Sequence, residues 1–316
     1  MDITQEIRPA WDSFPAPMII HPQLEHRQSF IVLHGRGSTA QKFGPTLLST
    51  ASTLANETLQ MAFPHAKVIF PTASRSRATI YKRSYTHQWF DNWHLEDATR
   101  RQDLIGEGLL SSIGYIHSLL QAEIKVVGKE NVVLWGLSQG CAASLSALLT
   151  WDGEPFAAVV GMCGWLPYSI LLMDVIREDN SESSWDPFSQ DENSGESHFD
   201  KKDTDTREEL SLQNSRNQEA KLDLPMQAVA FLKNELQMEG ITGTAFQNIP
   251  VFLGHGTEDE KVNIELGREA NTCLQMMGAD IQLVEYQECG HWYSEEMLQD
   301  IFNFLRHRLN PTPAEG

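Results

Sequence analysis

Val132-Val133-Leu134-Trp135-Gly136-Leu137-Ser138-Gln139-Gly140 runs directly into Cys141-Ala142-Ala143-Ser144-Leu145-Ser146-Ala147-Leu148-Leu149. The first part is an apolar run of strand length and the second is rich in Ala and Leu. The G-x-S-x-G pentapeptide Gly136 to Gly140 joins them. This reads as a nucleophile elbow, in which a buried strand turns sharply into a helix and lifts Ser138 above the sheet edge. The turn strains the serine backbone, and the returning helix must pass where a Cβ would collide. Glycines on both sides answer those demands. The pentapeptide alone is only moderately specific; its position between a strand and a helix gives it weight.

Working outward, short apolar runs alternate with helical patterns, the mark of a mostly parallel sheet. The candidate strands are Phe30 to Leu33, Lys67 to Phe70, Asn131 to Trp135, Ala157 to Gly161, Pro250 to Gly254 and Ile281 to Tyr286, with Met18 to Ile20 as an antiparallel edge. The candidate helices are Gly44 to Met61, Asp97 to Ala122, Gln139 to Leu149, Leu224 to Glu239, Gly267 to Met277 and Ser294 to Leu309. The last opens on an N-cap serine and two glutamates and closes on Arg306-His307-Arg308, matched at both ends to the helix dipole. One stretch breaks the rhythm. From Arg177 to Lys221 there are 13 Asp/Glu against 6 Lys/Arg and no Val or Ile, too little apolar surface to offset chain entropy. The expected architecture is a single domain over residues 1–316, interrupted by this acidic, disordered insertion at about 177–221.

Charge and thiols narrow the function. The net charge is −19, and such a chain repels nucleic acid and anionic lipid at long range, so neither is an expected general partner. No run approaches the ~18 apolar residues of a membrane helix, and the first 30 residues lack the pattern of a secretory signal. The four cysteines form no C-x-x-C pair, consistent with reduced thiols in a cytoplasmic protein. No histidine pair has metal-ligand spacing, so neither a metal nor another cofactor is expected. Oligomeric state is not legible.

Serine is a poor nucleophile until an imidazole takes its proton and a carboxylate orients that imidazole. Behind such an elbow the chain order is serine, acid, histidine, each on a loop following a strand. His255-Gly256-Thr257-Glu258-Asp259-Glu260-Lys261-Val262 follows one candidate strand, and Gln287-Glu288-Cys289-Gly290-His291 follows the next. His291 is the expected base, while spacing leaves Glu258, Asp259 and Glu260 open as the acid. Acyl transfer also needs two N–H donors for an oxyanion, and Gln139, following the serine at the helix start, supplies one.

Leu33-His34-Gly35-Arg36-Gly37-Ser38, Phe70-Pro71-Thr72-Ala73, Trp89-Phe90-Asp91, Gly136 to Gly140, Trp165-Leu166-Pro167, the His255 to Val262 loop and Gly290-His291 occur together. In this the chain resembles the phospholipase/carboxylesterase family of α/β-hydrolases, which includes acyl-protein thioesterases and lysophospholipase-like esterases. The resemblance runs from about residue 28 to 310, outside the acidic insertion. It implies a three-layer α/β/α hydrolase fold, Asp259 as the acid, and Arg36 as the second oxyanion donor, where many relatives carry leucine. It also implies Trp89 and Trp165 as walls for an acyl group, with Trp292 treated alike. His34 is expected to brace the oxyanion loop. The implied function is a serine hydrolase of esters or thioesters, its substrate a small molecule, a lipid or an acylated protein. Lysophospholipase or acyltransferase activity on the same triad, or a non-catalytic receptor, are the alternatives.

Overall fold

The computed structural model describes residues 14–49, 52–94, 101–182, 223–240 and 243–309. Seven strands form the main sheet: β1 (Met18–Ile20), β2 (Gln28–Leu33), β3 (Ala66–Phe70), β6 (Val132–Leu137), β7 (Ala158–Met162), β8 (Val251–Gly256) and β9 (Ile281–Tyr286). Their order is β1-β3-β2-β6-β7-β8-β9; β1 pairs antiparallel with β3, and every other pairing is parallel. A separate hairpin, β4 (Arg75–Ala78) and β5 (Ser84–His87), rises between β3 and the next helix.

The helices are α1 (Ala40–Ser49), α2 (Leu59–Ala62), α3 (Gly106–Val127), α4 (Gln139–Leu149), α5 (Ser169–Glu182), α6 (Leu224–Glu235), α7 (Ile264–Met276) and α8 (Glu295–Leu309). Strand alternation decides which of them each face receives. Ile31, Leu33, Val132, Leu134, Val251 and Leu253 point to a core shared with α3, α4, α5, α6 and α7. Phe30, Val32, Val133, Trp135 and Phe252 point to the opposite core, closed by α1, α2 and α8. The central strands are buried on both sides, which is why they read as unbroken apolar runs. Full burial of each such side chain contributes roughly 1.5–3 kcal/mol, and these two cores hold the layers together.

Several sequence expectations change. The helix expected over Asp97 to Ala122 is α3, which begins only at Gly106 and runs on to Val127. The stretch from Gly44 to Met61 is not one helix: α1 starts earlier, at Ala40, carries Pro45 inside it, and ends at Ser49. A turn built on buried Thr53, with Asn56 at φ 58°, separates it from α2. Glu57 N–H donates to the Thr53 hydroxyl, so the turn is held by side-chain bonding that a helix would forfeit. Helix α5 extends through residues 177–182, the start of the segment expected to lack structure; the rest of that segment lies outside the described residues. The hairpin β4–β5 was not expected at all.

At the elbow, strand and helix meet backbone to backbone. A Cβ at Gly136 would lie 2.3 Å from the Gly140 carbonyl oxygen, and one at Gly140 2.5 Å from that of Leu33. Gly136→Ala is therefore expected to lower unfolding stability by about 3 kcal/mol or more. Gly114→Ala, inside α3 with nothing within 4 Å of the added methyl, is expected to raise it by about 1 kcal/mol. Urea unfolding of the two variants checks both signs.

Candidate active site

Ser138 stands between β6 and α4 with φ 57° and ψ −121°, the strained conformation an elbow requires. Its backbone N–H donates to the Met162 carbonyl (2.8 Å), tying the turn to the end of β7. The hydroxyl lies 3.0 Å from His291 Nε2, and His291 Nδ1 lies 2.7 Å from Asp259 Oδ2. Each residue comes from a different connection on the same sheet edge: Ser138 after β6, Asp259 after β8, His291 after β9. A carboxylate can only accept, so Nδ1 carries the ring proton and Nε2 is free to accept from the serine.

Asp259 is the acid drawn into this chain. Glu258 and Glu260, equally placed by spacing, are exposed. The Asp259 side chain is sealed from solvent, and its Oδ1 accepts from the backbone N–H groups of Lys261 and Val262, both at 2.9 Å. Burial by itself would raise its pKa. Hydrogen bonds from His255, His291 and the Val262 amide outweigh that and hold the carboxyl well below the usual range. His255 is a partner that the sequence reading passed over. Its Nε2 donates to the Val262 carbonyl (2.9 Å) and lies 3.3 Å from Asp259 Oδ2. A buried histidine four residues before the acid, at the end of a strand, was the available signal.

The oxyanion candidates lie on either side of Ser138. Gln139 is the first residue of α4, so its N–H has no acceptor within the helix. In the loop after β2, Gly37 N–H donates to His87 and Ser38 N–H to Gly35, leaving the Arg36 N–H without a partner among the loop's backbone bonds. Side chains hold both segments still. Gln139 Oε1 accepts from Trp89 N–H (3.0 Å), and its Nε2 donates to the Phe90 carbonyl (2.7 Å). His34 Nδ1 donates to the Gly35 carbonyl (2.7 Å), and its Nε2 accepts from Ala73 N–H (3.1 Å). Burial, only partly offset by the Gly35 bond, pushes the His34 pKa down to about 4.

A cleft of about 240 Å³ opens over the serine, lined by Arg36, Phe43, Leu137, Trp165, Val262 and Trp292 as well as His291. Of the three tryptophans singled out in the sequence, Trp165 and Trp292 line this cleft. Trp89 does not. It is 1% exposed and sits beneath the oxyanion loop, its indole N–H donating to the His34 carbonyl (2.8 Å), because a buried indole must find an acceptor. Tyr81, from the segment joining β4 to β5, also lines the cleft and carried no sequence signal.

Cys163, Asp259 and His291 bring donor atoms within 4.8 Å of one another, the arrangement closest to a metal set among the described residues. Asp259 and His291 spend those atoms on each other, and burial pushes the Cys163 thiol far up, so the donor chemistry is that of a proton relay.

The chain matches the sequence profile described as Phospholipase/Carboxylesterase over residues 15–180 and 210–309, and it belongs to that family of α/β-hydrolases. Acyl-protein thioesterase 1 of Schizosaccharomyces pombe is 32% identical over 151 residues, a match spanning 48% of this chain and 61% of that protein. Acyl-protein thioesterase 1 of Gibberella zeae is 24% identical over 301 residues, spanning 94% of this chain and 97% of its own. Among solved structures, Zea mays acyl-protein thioesterase 2 superposes with a TM-score of 0.60 at 18% identity, covering 93% of this chain and 99% of its own. Arabidopsis thaliana SOBER1 gives 0.56 at 19% identity, covering 90% and 100%. At these identities the structural likeness speaks for the fold.

His34 makes the site acid-sensitive. Its folded pKa, about 4, lies below the ordinary 6.5, so between those values the unfolded chain binds a proton that the folded chain refuses. Stability from this group is full above pH 6.5 and falls as pH drops toward 4, by about 3 kcal/mol in all. Urea unfolding from pH 7 to 4 is expected to show this slope, and His34→Gln is expected to flatten it by about one proton.

Proposed function

We propose that this chain is a serine hydrolase of carboxylic esters or thioesters that works through an acyl-enzyme. The observation carrying this reading is the unbroken hydrogen-bonded path from the Ser138 hydroxyl through His291 to the buried Asp259 carboxylate. Ser138 Oγ attacks the acyl carbonyl as its proton passes to His291 Nε2, and Asp259 stabilises the imidazolium that results. The N–H groups of Arg36 and Gln139 bind the oxyanion, each donor contributing about 10²- to 10³-fold in rate. Collapse of the tetrahedral intermediate expels the alcohol or thiol, which takes the proton from His291. Water then attacks the acyl-enzyme, gives its proton to the same nitrogen, and the acid product leaves with Ser138 restored.

The relatives' name, acyl-protein thioesterase, favours an acylated protein as the substrate, with the labile thioester as the bond cut. Trp165, Trp292, Phe43 and Leu137 suit an apolar acyl group, and a volume near the lower end of ligand sites, roughly 300–1,000 Å³, favours a short one. We place the chain in the cytoplasm, which suits four unpaired thiols, and read it as one hydrolase domain carrying the acidic insertion. Among the described residues no helix is long and apolar enough to cross a membrane.

A fluorophosphonate probe is expected to label the native protein and not Ser138→Ala. Labelling that persists in the alanine variant would move the nucleophile elsewhere. Asp259→Asn, which keeps the shape but disturbs the imidazole tautomer, is expected to lower kcat by about 10⁴-fold on a para-nitrophenyl ester.

A further inference from the structure

The Arg36 side chain is unusual for a residue beside a catalytic serine. It lines the cleft, one of its nitrogens, Nε, is buried with no hydrogen-bond partner among the described residues, and its Nη2 is held by the side-chain oxygen of Asn92, a neutral group. Among the described residues no carboxylate lies within ion-pair distance of it. Asp91 lends some favourable field, but both of its oxygens are already engaged, by the Thr79 N–H and hydroxyl. A guanidinium is taken out of water only at a cost that a matching anion offsets, and arginine cannot escape that cost by losing its proton. Here the described residues supply an anchor for the group and no anion.

Nearby residues repeat the pattern. Lys261, two positions beyond Asp259, also lines the cleft and pairs with no acid among the described residues, although Glu258 and Glu260 closely precede it in sequence. Tyr81 lies on the cleft too, close enough to Arg36 to interact with it electrostatically. In a chain of net charge −19, two cations that line one small cleft and have no acidic partner among the described residues form a local exception.

We propose that Arg36, assisted by Lys261, is a specificity-determining residue that binds an anionic group, a carboxylate first of all, on the ester or thioester whose carbonyl reaches Ser138. The proposal rests on the serine-hydrolase reading and names its substrate class: a short acyl compound with one apolar stretch, for the Trp165, Phe43 and Trp292 walls, and one negative charge. The anion is carried either by the acyl group or by the leaving group. Asn92 orients the guanidinium fork, so the anion meets a prepositioned partner.

The test uses the full chain and matched substrate pairs. On the acyl side, para-nitrophenyl hydrogen adipate is compared with neutral para-nitrophenyl hexanoate. On the leaving side, para-carboxyphenyl hexanoate is compared with para-carbamoylphenyl hexanoate. The wild type is expected to favour the charged member of one pair by about 10- to 100-fold in kcat/KM, the scale of one charge-assisted bond. Whichever pair responds locates the anion. Arg36→Leu is expected to erase the preference, chiefly through KM of the charged member, Arg36→Lys to restore part of it, and Lys261→Met to reduce it. Because Arg36 also offers its backbone to the oxyanion, the charged-to-neutral ratio within each variant is the readout. Should Arg36→Leu fail to fold, the exposed Lys261→Met and the conservative Arg36→Lys carry the comparison. Equal turnover of both members by the wild type, or a preference untouched by the Arg36 variants, overturns the proposal and leaves the hydrolase standing. No turnover of any ester and no fluorophosphonate labelling would sink the hydrolase reading, and this inference with it.

Discussion

The buried carboxylate of Asp259 is the constraint around which the catalytic edge is arranged. A charge sealed from water costs several kcal/mol unless hydrogen bonds replace its hydration. Here two backbone N–H groups of its own loop and the imidazole of His291 supply them, with His255 alongside. Satisfying the charge folds the loop after β8, fixes which nitrogen of His291 carries the proton, and leaves the other aimed at Ser138. Removing any one donor exposes the whole cost, so the loop has little freedom to take another shape.

Glycines make the required approaches possible. A Cβ at Gly256 would lie 2.1 Å from the Cys289 carbonyl oxygen, so the strand end leading to Asp259 and the loop carrying His291 touch backbone to backbone. At Gly267 the backbone of α7 packs directly on the His255 ring, where a Cβ would fall 2.5 Å from Nδ1. With Gly136 and Gly140 at the elbow, these contacts set separations that side chains would widen. A hydrogen bond of 2.7 to 3.0 Å tolerates little widening before it fails. The Ser138–His291–Asp259 hydrogen-bond distances are therefore a consequence of close packing several residues away.

How much of this was legible follows from where each signal resides. The elbow, the parallel strands and the order serine, acid, histidine are written in local patterns and chain order. Helix α4 was read to the residue, because an Ala/Leu-rich stretch beginning at the elbow has one obvious start. The hairpin β4–β5 was invisible. Arg75, Arg77 and Tyr85 are exposed, the guanidinium of Arg77 lies 4.8 Å from the Tyr85 ring centre, and no apolar alternation marks the strands. Helix α1 was misjudged because Gly44-Pro45 resembles a helix start, while tertiary packing of Ala40, Phe43 and Leu47 carries the helix through both residues. Asp259 needed more than spacing. What separates it from Glu258 and Glu260 is burial, and burial depends on the fold. Trp89 fails for a related reason: an aromatic near a strand end suits a pocket wall or a loop brace equally, and only the position of the His34 carbonyl decides.

Charge adds a last step. The chain's net −19 acts over distance and is damped within a Debye length of about 8 Å at physiological salt, whereas contacts inside a cleft are screened far less. Acidity of the whole thus bears on solubility and encounter, and under the proposal made above the cations lining the cleft bear on what is held there. Arg36 offers two separate groups there, a backbone N–H and a guanidinium. In the proposed reaction its backbone would serve the oxyanion whatever the side chain, which leaves the side chain at this position free to select among substrates. An arginine there, anchored by Asn92 and left without a counter-ion among the described residues, is a cost that the fold does not require. A cost of that kind is intelligible where the missing charge arrives with the substrate.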